Sequence, residues 1–249
     1  MRIAQRRFLA VLVAAGVGAA FAAPAAFANH SWGGYHWART ANPFTLKLGD
    51  NLTTSDWKSH LSQTSTDWSA SSVLDTTIVA GQSSKRCRPT SGRDEICDGN
   101  YGQNGWLGLA SIWLQSGTTH IVQGTVKFND TYFSMPQYNN SAEKEHVVCQ
   151  EVGHTFGLDH QDTSGISLNT CMDYYQNTSS TDTQSTTPNQ HDYDELATIY
   201  QHLDSSNTFG AETPAFLPGA SETRYVKHLR NGLTRVTFVT WAAPFHGIG

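Results

Sequence analysis

Apolar and polar residues alternate through Phe44-Thr45-Leu46-Lys47-Leu48, the period-two pattern of a strand with one buried face. The period then changes. Trp57, Leu61 and Trp68 recur at near-helical spacing within residues 54–70, with Thr54 or Ser55 placed to cap the start, so a helix is expected there. Residues 73–80 return to strand character, and a strand, helix, strand order fits a mixed α/β sheet. Turn residues dominate 81–105, which reads as a surface loop, whereas 106–113 and 120–129 are again strand-like. A second helical stripe, Val148, Val152 and Phe156, follows Asn140 and Ser141, either of which can cap it. Glu143 then falls in the first turn, where the helix dipole favours an acid. The Ser/Thr-rich stretch 178–187 is expected to be a loop, and Tyr193, Leu196, Ile199, Tyr200 and Leu203 predict a helix over 192–202. Beyond a Ser/Gly/Pro-rich segment, 205–220, two strand-like runs, 225–229 and 233–241, flank Asn231-Gly232, a hairpin signal. One hairpin is too small to fold alone, so it is expected to dock on the main domain.

The first 28 residues follow another pattern. Arg2, Arg6 and Arg7 precede an apolar run from Phe8 to about Phe21, and Ala26-Phe27-Ala28 closes it, as in a secretory signal peptide cut before Asn29. A membrane anchor is the alternative reading, disfavoured by the alanine-rich run and its small-residue end. Removal of this segment would take three arginines and no acid from a chain whose formal charge is already −5. The expected product is an acidic, soluble, secreted monomer, without membrane attachment in its mature form and without the basic patch that nucleic acid requires. Four cysteines, Cys87, Cys97, Cys149 and Cys171, make an even set suited to an oxidising compartment, with three pairings open. Residues 29–41 are rich in tryptophan, glycine and histidine and read as an irregular lead-in. His30 and His36 are available to a metal, although packing on the domain is the simpler reading.

Chemistry concentrates in Gln150-Glu151-Val152-Gly153-His154-Thr155-Phe156-Gly157-Leu158-Asp159-His160. On a helix, positions 150, 151 and 154 fall at about 0°, 100° and 40° around the axis, so their side chains share one face. Gly157 stands where such a helix must stop and reverse, which brings His160 back toward the same point. The stretch resembles the active site of the metzincin zinc proteases, H-E-x-x-H-x-x-G-x-x-H followed by a methionine turn, with Gln150 in place of the first histidine. Cys171-Met172-Asp173-Tyr174 follows where that turn is expected.

The resemblance is closest to the bacterial matrixin-like branch and spans residues 40–204, its specific signal lying in 150–174. It implies an α/β (α+β) metzincin-like fold, with a mixed twisted sheet, an active-site helix and a closing C-terminal helix over 29–204. A linker and hairpin tail, 205–249, would follow. It further implies a secreted Zn2+ endopeptidase acting on protein or peptide, with His154 and His160 as ligands, Gln150 in the third ligand seat and Glu151 as general base. Met172 would form the floor, and Tyr174 would approach the metal or oxyanion, or simply be a half-buried aromatic. Pairing Cys149 with Cys171 would hold helix and methionine turn in register, leaving Cys87 with Cys97. Gly108-Leu109-Ala110 resembles the cleft-edge strand that receives substrate by strand addition, a core strand being the equal alternative.

Glutamine is a weaker zinc ligand than imidazole. Three outcomes follow: Gln150 ligates through its amide oxygen, another group completes the site, or the site is degraded. His146 lies one turn before Gln150, but eight residues from His154 it is about 12 Å away along the axis, against zinc–nitrogen bonds of about 2 Å. His191 is a further outside candidate. A degraded site would make the chain a pseudoenzyme that binds peptides or a surface partner without cutting them.

Overall fold

The computed structural model describes residues 30–82, 86–210 and 224–242. The signal-like segment 1–28 and most of the linker lie outside them. Strand β1 (His36–Trp37) leads into β2 (Phe44–Asn51), which is joined to β3 (Leu74–Ala80) across helix α1 (Ser55–Trp68). The Thr54 hydroxyl caps α1 by accepting from the Trp57 N–H, the arrangement that its position before a polar first turn suggests.

The chain then runs through β4 (Asp94–Gly99), β5 (Trp106–Leu114), β6 (His120–Asn129), the short α2 (Asp130–Phe133), α3 (Ser141–Thr155) and α4 (Gln190–Ile199). It ends in β7 (Arg224–His228), β8 (Thr234–Phe238) and β9 (Thr240–Trp241). The fold is mixed α/β. One sheet has the order β3-β2-β4-β6-β5-β8-β7, with β1 added to β6 and β9 to β5. Strands β2, β3, β4 and β6 are parallel, and β5, β8 and β7 continue antiparallel.

Strand β4 corrects the expected loop at 81–105. It is central, yet Asp94, Glu95 and Asp98 in it are all buried. Glu95 is bonded by Arg93 and Thr90, Asp98 by the Thr53 N–H, and Asp94 by the Thr155 hydroxyl at 2.7 Å. Each carboxyl has at least one such partner, although Asp94 Oδ1 has none, and with acids at these buried positions the strand has no apolar alternation to read.

Helices α1 and α3 pack against each other, with α1 also on β3 and α3 on β5 and β6. Trp57 stacks on Phe128 of β6 with ring centroids 4.9 Å apart, and the Trp68 indole donates to the Cys149 carbonyl. The disulfides are Cys87–Cys97 and Cys149–Cys171. No helix among the described residues is long and apolar enough to cross a membrane.

Candidate active site

Helix α3 presents the motif because both its ends are fixed. The Asn140 side chain accepts from the Glu143 N–H at the start, and Gly157 ends the helix with φ +101°. A Cβ on Gly157 would lie 2.0 Å from the Tyr35 carbonyl oxygen, so only glycine lets the chain turn beneath the N-terminal segment. Gly153 plays a similar part on the helix face, where a Cβ would meet the Met172 sulfur and the Trp68 ring at 2.7 Å. Met172 is wholly buried beneath this turn, and Cys149–Cys171 ties its neighbour to the helix.

His154 and His160 converge, Nε2 to Nε2, at 3.1 Å. Two donors about 2 Å from one tetrahedral ion stand roughly 3.3 Å apart, so the pair has the spacing of two ligands on one zinc. His154 Nδ1 is 2.9 Å from the Leu158 carbonyl, which fixes the tautomer with the Nε2 lone pair facing His160. Burial, then the neighbouring His160, pushes His154 down to about 3, so the ring is neutral, the form that binds a metal.

Gln150 does not join them in this arrangement. Its Nε2 donates to the carbonyls of Cys171 at 2.9 Å and Asp173 at 2.7 Å, and its Oε1 accepts from the Thr240 hydroxyl at 2.7 Å. Both ends of the amide are engaged. Among the described residues, no third His, Cys, Asp or Glu donor groups with His154 and His160 within 4.8 Å. The donor set therefore fits zinc through two imidazoles, while the Gln150 oxygen is taken by Thr240.

His146 is also wholly buried, with Nε2 3.0 Å from the Asp173 carbonyl and Nδ1 3.0 Å from Asn177 Oδ1. Burial lowers it to about 4, and its contact with the Asp173 carbonyl ties α3 to the methionine turn. His191 stacks on His30 instead, with centroids 4.8 Å apart.

Glu151 is fully buried, and neither carboxylate oxygen has a hydrogen bond of ordinary geometry. Burial pushes it up to about 8, opposed by the nearby Thr240 hydroxyl and the Ala110 and Thr240 backbone N–H groups. Gly108 of β5 passes directly over it: a Cβ there would lie 2.5 Å from Glu151 Oε1 and 2.6 Å from Val147 Cγ1. The glycine is what lets the strand and the helix approach this closely.

The C-terminal hairpin covers the group. β8 pairs antiparallel with β5, Ser111 opposite Thr237 and Ile112 opposite Val236, and β9 continues with Thr240 opposite Gly108. The Phe238 ring stacks on His154 at 4.3 Å and 11°. The Tyr174 hydroxyl donates to the Val239 carbonyl at 2.7 Å, and its ring lies 4.4 Å from His160. Burial raises the Tyr174 hydroxyl well above the ordinary phenol range, followed by the Glu151 charge. Beside Gln150 a pocket of about 330 Å³ opens between Val147, Tyr174, Thr240 and Trp241.

Phe238, Val239 and Thr240 were invisible as site residues in the sequence. They carry no chemical motif, and only the Asn231-Gly232 turn signals the hairpin that brings them there.

No protein family matches the chain, and no curated protein matches it. Two solved structures of myroilysin are similar to it at 12% identity. One has a TM-score of 0.37 over 66% of this chain and 96% of that one, and the other 0.38 over 66% and 86%. A likeness this distant assigns neither family nor activity.

Proposed function

We propose that this chain is a secreted zinc endopeptidase whose cleft is filled by its own C-terminal hairpin. The observation that carries the reading is the succession Phe238, Val239, Thr240 along β8 and β9, which engages His154, Tyr174 and Gln150 in turn. An extended peptide would bind by adding a strand to β5, the edge that β8 and β9 now occupy. Withdrawal of Thr240 would release Gln150 Oε1, while the Cys171 and Asp173 carbonyls keep hold of Nε2 and so of the side chain's direction.

His154 and His160 would hold the metal, with the Gln150 oxygen as the third donor. A zinc ion bound there supplies a Lewis acid and an activated water. Glu151, ionised once withdrawal of the hairpin readmits water, would take a proton from the attacking water and return it to the leaving amine, and Tyr174 would be free to donate to the developing oxyanion. A protein or peptide substrate, a monomeric enzyme and an extracellular setting complete the proposal. Two disulfides suit such a setting.

A second reading has its own support in the fully bonded Gln150 amide: a cleft that binds peptide strands without cutting them. The test separates the two. Val236→Asp with Phe238→Asp places charge at two buried positions of β8 and should unseat the hairpin. Hydrolysis of an unfolded protein in the presence of zinc should then rise above that of the parent chain, and adding Glu151→Gln should reduce it by about 10²-fold or more. An unseated protein that binds extended peptides but leaves them intact would replace the first reading with the second.

A further inference from the structure

A second cluster of ligand-type side chains lies where the two ends of the main domain meet. His36 opens β1 and His120 opens β6, and the parallel register places them directly opposite each other, so both rings leave the same face. Asp204 follows α4 and completes a trio whose ligand atoms all lie within 4.8 Å of one another. His202 joins it: its Nε2 is 3.2 Å from His36 Nε2 and 3.7 Å from Asp204 Oδ1. His120 Nε2 lies 3.3 Å from Asp204 Oδ1, and His36 Nε2 3.6 Å from Asp204 Oδ2. Donors sharing a tetrahedral ion at bonds of about 2 Å stand roughly 3.3 Å apart.

The surroundings orient these groups. His36 Nδ1 donates to the Gly34 carbonyl at 2.8 Å, so its Nε2 carries a lone pair, and that lone pair faces a second imidazole nitrogen. Two nitrogens so directed need either a proton or a cation between them. Asp204 is held by the buried Arg39, whose Nη1 bonds Oδ2 at 2.8 Å and whose backbone N–H bonds it at 3.1 Å, leaving Oδ1 toward His120 and His202. Such outer hydrogen bonds to ligand groups are the usual accompaniment of a metal site. The His202 side chain is 52% exposed, which gives an ion a way in.

We propose that His36, His120 and Asp204, with His202 beside His36 and Asp204, form a structural site for a zinc-type divalent ion, separate from His154 and His160. Imidazoles joined by one carboxylate suit zinc or cobalt and not calcium or magnesium, which take oxygen ligands. The trio joins β1, the start of β6 and the chain after α4, so its part is to pin these three segments together. It does not rest on the endopeptidase reading.

Zinc content and affinity of the full chain, measured by elemental analysis and competition with a chelator, test it. His154→Ala with His160→Ala should keep one zinc per chain. His120→Ala with His202→Ala should lose that equivalent or bind it more than about 100-fold more weakly, beyond the effect of altering an outer hydrogen bond. His202→Ala alone, at a half-exposed ring, guards against misfolding and should weaken binding as well. Cobalt in place of zinc should give a tetrahedral visible spectrum that survives the first pair of substitutions and disappears with the second. Zinc and cobalt binding unchanged by His120→Ala with His202→Ala, or no metal bound once His154 and His160 are replaced, would overturn the proposal.

Discussion

Gly157 shows how a single residue can be legible in the sequence and then be given a reason by its neighbours. The motif spacing marks it as a helix stop, and the structure adds both the left-handed backbone and the Tyr35 carbonyl pressed against it. Gly157→Ala should therefore destabilise the chain by about 2 kcal/mol or more, readable as a lower urea midpoint with an unchanged slope. Gln150 is the opposite case. Its place on the helix face was readable, but the direction of its amide was not, because that depends on carbonyls 21 and 23 residues away and on a hydroxyl 90 residues away. Glu151, His154 and His160 were identifiable by type and spacing. The burial of Glu151 beneath Gly108 came only from strand β5.

At the scale of elements, helices α1 and α3 follow from their apolar stripes and caps, and β2, β3, β5 and β6 from alternation or apolar runs. The expected closing helix at 192–202 is α4, Gln190–Ile199, which starts earlier at an Asn189–Asp192 capping box. The run 233–241 is broken into β8 and β9 at Val239, whose carbonyl turns to Tyr174. Strand β4 escaped because its buried carboxyls look like loop residues until Thr155, Arg93 and Thr53 are placed beside them. The Cys149–Cys171 bond joins α3 to the methionine turn across 22 residues. Cys149→Ser with Cys171→Ser should cost about 3 kcal/mol in denaturant melts, on the loop-closure argument. It should also loosen the His154–His160 pair, seen as broadened ring signals in proton spectra.

The whole molecule adds a pH dependence that no segment contains. Burial pushes Asp94 and Glu143 up to about 8 each, far above their ordinary values of 3.8 and 4.5. The folded chain thus keeps protons on both groups in a range where the unfolded chain has released them. Their contribution is complete below about pH 4 and lost as pH rises toward 8, at up to about 1.4 kcal/mol per pH unit for each group. Denaturant midpoints should fall between pH 7 and pH 8, above the range in which the neutral, buried His146 and His154 act in the opposite sense, and Glu143→Gln should flatten that slope. A midpoint that rises across this interval in the parent and is unaffected by the substitution would contradict the assignment.

The sequence by itself determined the elements with strong periodicity, the helix that carries Glu151 and His154, the turn at Gly157 and the return of His160, because these depend on spacing along one short stretch of chain. Only the tertiary structure decided that a polar segment would run as the central strand β4, that the Gln150 amide would be bonded to Cys171, Asp173 and Thr240, and that residues 236–240 would lie across the histidine pair. Those outcomes rest on contacts between residues far apart in the chain. Which donor meets which acceptor across the sheet is set by strand order and register, and neither is written in any local pattern.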